Sequence, residues 1–397
     1  MTTFRTIDDL DVAGKRVLVR ADLNVPMKDG KVTNTTRIDR TVPTLNELAD
    51  RGAKVIVLSH LGRPKGQKNP EFTLAPVAEA LAASASRPVA FATDCIGSEA
   101  AAVVNAMNSG DLAMLENVRF YAEEEKNDQD FAQKLAENGD ILVSDAFSCS
   151  HRAHASVEAL ARILLSAAGH LMQAELEALE GALEAPQHPV AAVVGGAKIS
   201  TKLDVLGHLI QKVDQLIIGG AMANTFLHAK GVGVGKSLCE HDMADTAREI
   251  LAKADGSGCE IVLPKDLIVA SEFAEGQQAD TVALDGVPGD KMILDVGPDS
   301  IADLNGRLSG CKTLLWNGPL GAFEVKPFDV GTNAVAQEAA KLTKAGSLLS
   351  VAGGGDTVSA LANAGVGADF SYVSTAGGAF LEWIEGKTLP GVAVLRK

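Results

Sequence analysis

Short apolar runs rich in β-branched residues alternate with longer helical patterns along almost the whole chain, and few folds accommodate that order. Strand patterns are read at 16–20, 54–58, 111–115 and 140–144, then at 189–194, 214–218, 260–263, 312–316 and 347–352. Helical patterns at 37–50, 199–212, 243–254 and 329–343 lie between them. Strands separated by helices pair in parallel through βαβ units, so the expected class is α/β with mostly parallel sheets. With 397 residues the chain exceeds one ordinary core, and two domains are expected. The stretch 171–183, LMQAELEALEGAL, has apolar residues at helical spacing and good helix formers throughout. Pro186 and Pro189 stop it, and a new strand pattern follows at once. It reads as a helix, 171–185, linking a domain of residues 1–170 to one beginning at 186. A surface helix of one large domain is the alternative.

Composition removes several classes. Hydrophobic content of 46% and charged content of 22% suit a soluble globular protein. A net charge of −15 offers no basic face for nucleic acid. No apolar run approaches the roughly 18 residues of a membrane span, and residues 1–10 lack the apolar core of a secretory signal. The five cysteines (Cys95, Cys149, Cys239, Cys259 and Cys311) are odd in number and lack CxxC spacing. They read as free thiols in a reducing compartment, not as disulfides or a zinc site, and a cytoplasmic location is expected.

In open α/β sheets, ligands bind beyond the carboxyl ends of the strands. The first half ends its strands in Asp22 and Asn24, His60 and Arg63, Arg119, and Arg152, while Arg37 opens a helix. Arginine forks and one imidazole directed to one rim describe a pocket for a small polyanion. Taken singly, each could be a surface arginine paired with an acid. The second half ends its strands in glycine: Gly195-Gly196-Ala197-Lys198, Gly219-Gly220-Ala221, Asn317-Gly318-Pro319, and Gly353-Gly354-Gly355-Asp356-Thr357. Glycines between strand and helix let backbone N–H groups approach phosphate, although a plain tight turn has the same sequence. Lys198 and Lys202 stand at i and i+4, which puts both on one helix face, as phosphoryl-following charges or as solvated lysines. Asp356 can hold a hard cation that is also bound to phosphates. One half for a polyanion and one for a phosphate chain suggest phosphoryl transfer by positioning and charge neutralisation, with domain closure excluding water.

Three motifs are decoys. Gly231-Val-Gly-Val-Gly235-Lys236-Ser237 resembles a Walker A loop, but the required first glycine is Lys230 and no strand pattern leads into it. Cys149 beside His151 need not be a nucleophile and its base, because adjacency in sequence is not geometry. Neither glycine cluster is GxGxxG, which weakens a dehydrogenase reading.

The chain resembles the phosphoglycerate kinase family over essentially its whole length. The resemblance rests on RADLNVP (20–26), LSHLGRP (58–64), LENVRF (115–120), HRAHAS (151–156), GGAKISTKL (195–203), IIGGAMANTFL (217–227), LLWNGPLGAFE (314–324) and GGGDT (353–357). It implies two Rossmann-like lobes with parallel sheets, an interdomain helix and an active site in the cleft. It implies that the acyl phosphate of 1,3-bisphosphoglycerate passes reversibly to ADP, giving 3-phosphoglycerate and ATP. By motif position, Asp22, Asn24, Arg37, His60, Arg63, Arg119 and Arg152 would hold the phosphoglycerate. Lys202, Gly219, Gly220, Asn317, Glu324, Gly353, Gly354, Gly355, Asp356 and Thr357 would hold the nucleotide, with Glu324 on the ribose and Asp356 on Mg2+. Arg37, Lys198 and Lys202 would stabilise the transferring phosphoryl, assisted by the helix N-terminus near Gly377 and Gly378. The tail 388–397 would return to the N-terminal lobe, leaving 186–387 as the nucleotide lobe, and a cytoplasmic monomer is implied.

Three departures stand out. Ser148-Cys149-Ser150 replaces the family's usual Gly-Thr-Ala, Ala376 stands at a usual glycine, and Ala221 stands where a third glycine is usual. Ala376 adds a Cβ near the expected phosphoryl path, with tolerance expected because two glycines follow. The competing reading from another class is a non-catalytic two-lobed anion-binding protein; loss of the basic strand ends would have favoured it, and none is lost.

Overall fold

The computed structural model describes residues 4–397, and the chain divides into two compact units, Met1–Leu176 with Thr388–Lys397, and Glu177–Lys387. The first unit contains β1 (Arg16–Ala21), a small hairpin of β2 (Met27–Lys28) and β3 (Lys31–Val32), β4 (Lys54–Leu58), β5 (Val89–Ala92), β6 (Leu112–Leu115), β7 (Ile141–Asp145) and β8 (Leu165–Ala168). Its main sheet runs β5-β6-β4-β1-β7-β8 with every pair parallel. Side chains alternate across a strand, so β1 feeds two separate cores. Val17 and Val19 join Val55, Val57 and Val143 on one face, under the helices Thr36–Asp50 and Ala75–Ala85. Leu18 joins Ile56, Leu115 and Leu142 on the other, under Gly97–Ala106 and Gln129–Ala136. A sheet covered on both faces explains why these strands read as continuous apolar runs. The tail groups with this unit: Gly391 N donates to Ser150 O (2.9 Å), and Phe4 bridges Arg396.

The second unit contains β9 (Val190–Gly195), β10 (Gln215–Gly219), β11 (Glu260–Val262), β12 (Asp266–Ala270), β13 (Asp280–Ala283), β14 (Met292–Val296), β15 (Thr313–Asn317), β16 (Leu349–Gly353) and β17 (Tyr372–Ser374). Its main sheet runs β11-β10-β9-β15-β16-β17, again parallel throughout. A separate antiparallel sheet, β13-β12-β14, packs Leu267 and Val269 against Leu227 and Val234.

The structure departs from the sequence reading in three places. The helix read over 171–185 is α-helical over His170–Leu179 and widens into a π-helical stretch at Glu180–Glu184, and the two units divide within it, between Leu176 and Glu177. The helix expected at 199–212 is a 3-10 turn, Ile199–Thr201, followed by a short α-helix, Leu203–Leu209. Hydroxyl side chains compete with the helix there. Thr201 Oγ1 donates to Lys198 O (2.9 Å), while Ser200 donates through N and Oγ to Glu240 (3.1 and 2.6 Å). Lys198, with extended φ −137° and ψ 131°, therefore does not share a helix face with Lys202. The antiparallel sheet had no counterpart in the sequence reading. The segment 231–237 is irregular and follows a helix, unlike a strand-to-helix phosphate loop.

Candidate active site

In the first unit the strand-end loops are laced together. Leu23 N donates to Ser59 Oγ (2.9 Å) and Gly62 N to Asn24 Oδ1 (2.9 Å), joining the loops after β1 and β4. Asn117 Nδ2 donates to Leu61 O (2.8 Å) and Arg119 Nη1 to Gly62 O (2.9 Å), adding the loop after β6. Gly62 has φ +61°, and a Cβ there would strike the Phe72 ring, so the junction requires glycine.

Within this frame Arg20, His60, Arg119 and His154 are buried. Arg20 is 1% exposed; it donates to Ser156 Oγ (2.8 Å), Ala21 O (2.5 Å) and His60 Nδ1 (3.3 Å). Burial, then the charges of Arg20, Arg119, His154 and Arg37, hold His60 well below the usual histidine pKa. His154 is pushed down to about 4, first by burial and then by Arg119, Arg20, Arg152 and His151. Both imidazoles are therefore neutral near pH 7. Arg119 is buried, and burial lowers its pKa although Glu125 opposes the shift. Its Nε lies 3.4 Å from Glu125 Oε1 without a hydrogen bond, which leaves donor capacity for an anion.

Asp22 and Arg37 form a second feature. Asp22 Oδ2 accepts from Arg37 Nη1 (2.6 Å) and from Ser148 Oγ (2.5 Å), while Oδ1 accepts from Asn24 N (3.2 Å). The Arg37 side chain is 46% exposed, so a carboxylate tethers an otherwise solvent-facing guanidinium. Asp22, His60 and Cys149 place ligand-type atoms within 4.8 Å of one another, a convergence no other trio makes among the described residues. Arg20 Nη2 sits 3.3 Å from His60 Nδ1 and 3.9 Å from Cys149 Sγ. A guanidinium thus fills the ligand side and disfavours a metal cation there. Burial pushes the Cys149 thiol up, opposed by Arg20, which argues against a thiolate nucleophile.

The second unit builds its site from backbone. Gly220 N donates to Leu320 O (2.7 Å) and Met222 N to Gly196 O (2.9 Å), so three strand-end loops touch main chain to main chain. A Cβ on Gly219 would stand 2.7 Å from Pro319 O, and one on Gly220 2.7 Å from Gly196 O. Only glycine permits that packing. Asn317 is the knot: its Nδ2 donates to Gly353 O (2.7 Å) and its Oδ1 accepts from Lys202 Nζ (2.6 Å). Thr357 Oγ1 accepts from Gly318 N (2.7 Å). Gly354 has φ +100° and precedes the helix Gly355–Asn363, leaving the first N–H groups of that helix available to an anion. Burial lowers the Lys202 pKa, while Glu385 and Asp356 raise it. Beside these loops lies a cavity of 350 Å³, lined by Gly196, Gly220, Leu267, Phe273, Leu294, Leu320, Glu324 and Asp356 among others. Its largely apolar wall, partly supplied by the antiparallel sheet, suits a flat base. Ala221 begins the helix Ala221–Ala229, and Ala376 N donates to Ser374 Oγ (3.2 Å) ahead of Gly377, at φ +58°.

Asp22, Asn24, Arg37, His60 and Arg119 thus converge in the first unit. Arg152 is exposed and donates through Nε to His151 Nε2 (3.1 Å). Arg63 is exposed and makes no hydrogen bond or ion pair among the described residues. In the second unit Lys202, Asn317, Gly353, Gly354, Thr357, Gly219 and Gly220 form one cluster, whereas Lys198 is exposed at its margin. The sequence reading gave no site role to Arg20, His154, Ser148 or the Leu294 wall. Arg20 had a signal, an arginine inside an apolar strand, where a charge needs a reason.

Two parallel α/β units, one ending its strands in guanidinium and imidazole and the other in bare glycine backbone, define a phosphoryl-handling protein of the two-domain kinase kind. The phosphoglycerate kinase family model matches residues 7–387. A phosphoglycerate kinase from Methylorubrum extorquens is 62% identical, covering 100% of this chain and 99% of the relative. One from Mesorhizobium japonicum is 60% identical, with 100% of both chains covered. The solved structure of phosphoglycerate kinase from Coxiella burnetii superposes with a TM-score of 0.93 at 44% identity, covering 99% of this chain and 98% of that one. The chain belongs to the phosphoglycerate kinase family.

Proposed function

We propose that this protein catalyses reversible phosphoryl transfer between 1,3-bisphosphoglycerate and ADP, giving 3-phosphoglycerate and ATP. The observation that carries the reading is the family match across residues 7–387, which includes both strand-end clusters. The basic ends of the first unit take the phosphoglycerate, through Asp22, Asn24, Arg37, His60, Arg63, Arg119 and Arg152. The glycine ends of the second unit take the nucleotide, through Lys202, Gly219, Gly220, Asn317, Glu324 and the stretch from Gly353 to Thr357.

A terminal β-phosphate oxygen of ADP attacks the acyl phosphorus, and the P–O bond to the carboxyl breaks to release a carboxylate. In reverse, that carboxylate is the acceptor. No proton need move, so charge neutralisation outweighs acid–base work. Arg37 leaves Asp22 to meet the transferring group, and Lys202 and Lys198 follow it as point charges. The backbone N–H groups at Gly377 and Gly378 assist. Asp356, an exposed carboxylate beside the glycine loop, fits Mg2+, which takes few protein oxygens and is held mainly by phosphates and water. Bound there, Mg2+ would neutralise nucleotide phosphate charge. The five cysteines are free thiols, which supports a cytoplasmic setting, and a monomer completes the reading. No helix among the described residues is long and apolar enough to cross a membrane. A coupled assay with ATP and 3-phosphoglycerate tests the proposal: ADP should form only when both are present, and absence of ADP above background would overturn it.

A further inference from the structure

The hydrogen bonds of Arg20 single out a buried relay behind the proposed phosphoglycerate site. Arginine only donates. His60 Nδ1, 3.3 Å from Arg20 Nη2, must therefore be the lone-pair nitrogen, which leaves the proton on Nε2. Among the described residues no protein acceptor takes that Nε2–H. Arg20 itself bonds no carboxylate; its Nε goes to Ser156 Oγ at 2.8 Å. Ser156 in turn donates from Oγ to Glu124 Oε1 (2.5 Å) and from N to Glu124 Oε2 (2.9 Å). Glu124 is 0% exposed, and His154 Nδ1 lies 4.0 Å from its Oε1. Burial pushes the Glu124 carboxyl up, opposed first by the Arg20 charge and then by the hydrogen bonds from Ser156. With that carboxyl ionised, each hydrogen in the relay has one direction: Ser156 donates towards Glu124, Arg20 donates both to Ser156 and to His60.

We propose that Glu124, acting through Ser156 and Arg20, is a positioning residue that locks His60 in the Nε2–H tautomer, so that a neutral imidazole presents a donor to an anionic ligand. Replacing Glu124 by glutamine supplies an amide that can itself donate to Ser156. The serine hydroxyl is then free to turn, Arg20 loses its counter-charge, and the grip on Nδ1 loosens. The ligand named here rests on the proposed phosphoglycerate reading; the tautomer does not.

The test is 15N NMR of histidine-labelled protein without ligand. His60 should show a protonated Nε2 and an unprotonated Nδ1 at pH 7. Glu124→Gln and Ser156→Ala should each convert this to a mixture of tautomers, while Glu124→Asp should retain more of the native pattern than Glu124→Gln. In the coupled assay Glu124→Gln and Ser156→Ala should each raise the KM for 3-phosphoglycerate about five- to tenfold, as for one weakened hydrogen bond, with kcat and the KM for ATP within about twofold. Should Glu124→Gln fail to fold, the wild-type spectrum and Ser156→Ala still decide. A wild-type His60 protonated on Nδ1, or a tautomer unchanged in Ser156→Ala, overturns the proposal. Lack of 3-phosphoglycerate turnover in the wild type would instead overturn the functional reading and leave the tautomer result standing.

Discussion

On the proposed reading, the two units bind anions by opposite routes. The first uses long side chains: Arg20 and Arg119 are buried, Arg37 is tethered by Asp22, and two histidines are held neutral. The second dispenses with side chains at its strand-end turns, so that Gly196, Gly219, Gly220 and Gly354 bring backbone amides to a surface where a Cβ would not fit or would be strained. Guanidinium forks match the fixed carboxylate and phosphate of a small ligand bidentately. Amide N–H groups and mobile lysine charges suit a phosphate chain whose end changes hands. Substitutions should accordingly hurt the first unit by loss of charge and the second by gain of bulk.

The largest expected effect is at Arg37. Arg37→Ala should lower kcat on the order of 10³–10⁵-fold by analogy with arginine fingers, in steady-state assays with the variant's fold checked by circular dichroism. Near-normal kcat would remove Arg37 from the phosphoryl path. Lys202→Ala should lower kcat about 10²–10³-fold, the scale of losing one transition-state donor. A change confined to KM would make Lys202 a binding residue. Gly354→Ala, at φ +100° with Asn317 Nδ2 2.6 Å from the new Cβ, should destabilise by about 1–3 kcal/mol and weaken ATP binding but not 3-phosphoglycerate binding. Calorimetric titration of both ligands checks that split.

Protonation should separate the units too. His154, held near 4, is neutral when folded but protonates near 6.5 when unfolded, so its contribution to stability is lost as pH falls from about 6.5 towards 4. Asp295, which lines the cavity of the second unit, is pushed up to about 7 by burial and by Asp329, against hydrogen bonds from Gly331 N and Val296 N. A raised acid acts in the opposite sense: its stabilisation is complete below 3.8 and lost as pH rises to about 7. NMR titration should find a midpoint near 4 for His154 and near 7 for the Asp295 carboxyl; ordinary midpoints of 6.5 and 3.8 would reject this. The smallest effect is at Ala376. Ala376→Gly should change kcat by less than about twofold, because Gly377, at φ +58°, and Gly378 already give the backbone its freedom there.

Parallel, doubly covered strands were legible because both faces are apolar, as in Val17, Leu18 and Val19. The antiparallel sheet was not, because β13 alternates half-buried and exposed residues over only four positions. The break at Lys202 was hidden because Ile199–Thr201 keeps helical spacing while its hydroxyls bind elsewhere. Strand-end position alone revealed most of the basic cluster. Arg20 carried a local signal, a charge inside an apolar strand, but its partners lie 136 and 40 residues away, and no local pattern encodes those.

The division of labour is most directly tested by titrating 3-phosphoglycerate and Mg-ATP separately into the wild type, Arg119→Ala and Gly220→Val by calorimetry. The account predicts that Arg119→Ala loses phosphoglycerate binding and keeps ATP, and that Gly220→Val does the reverse. Loss of the same ligand in both variants, or of both ligands in either folded variant, would contradict it.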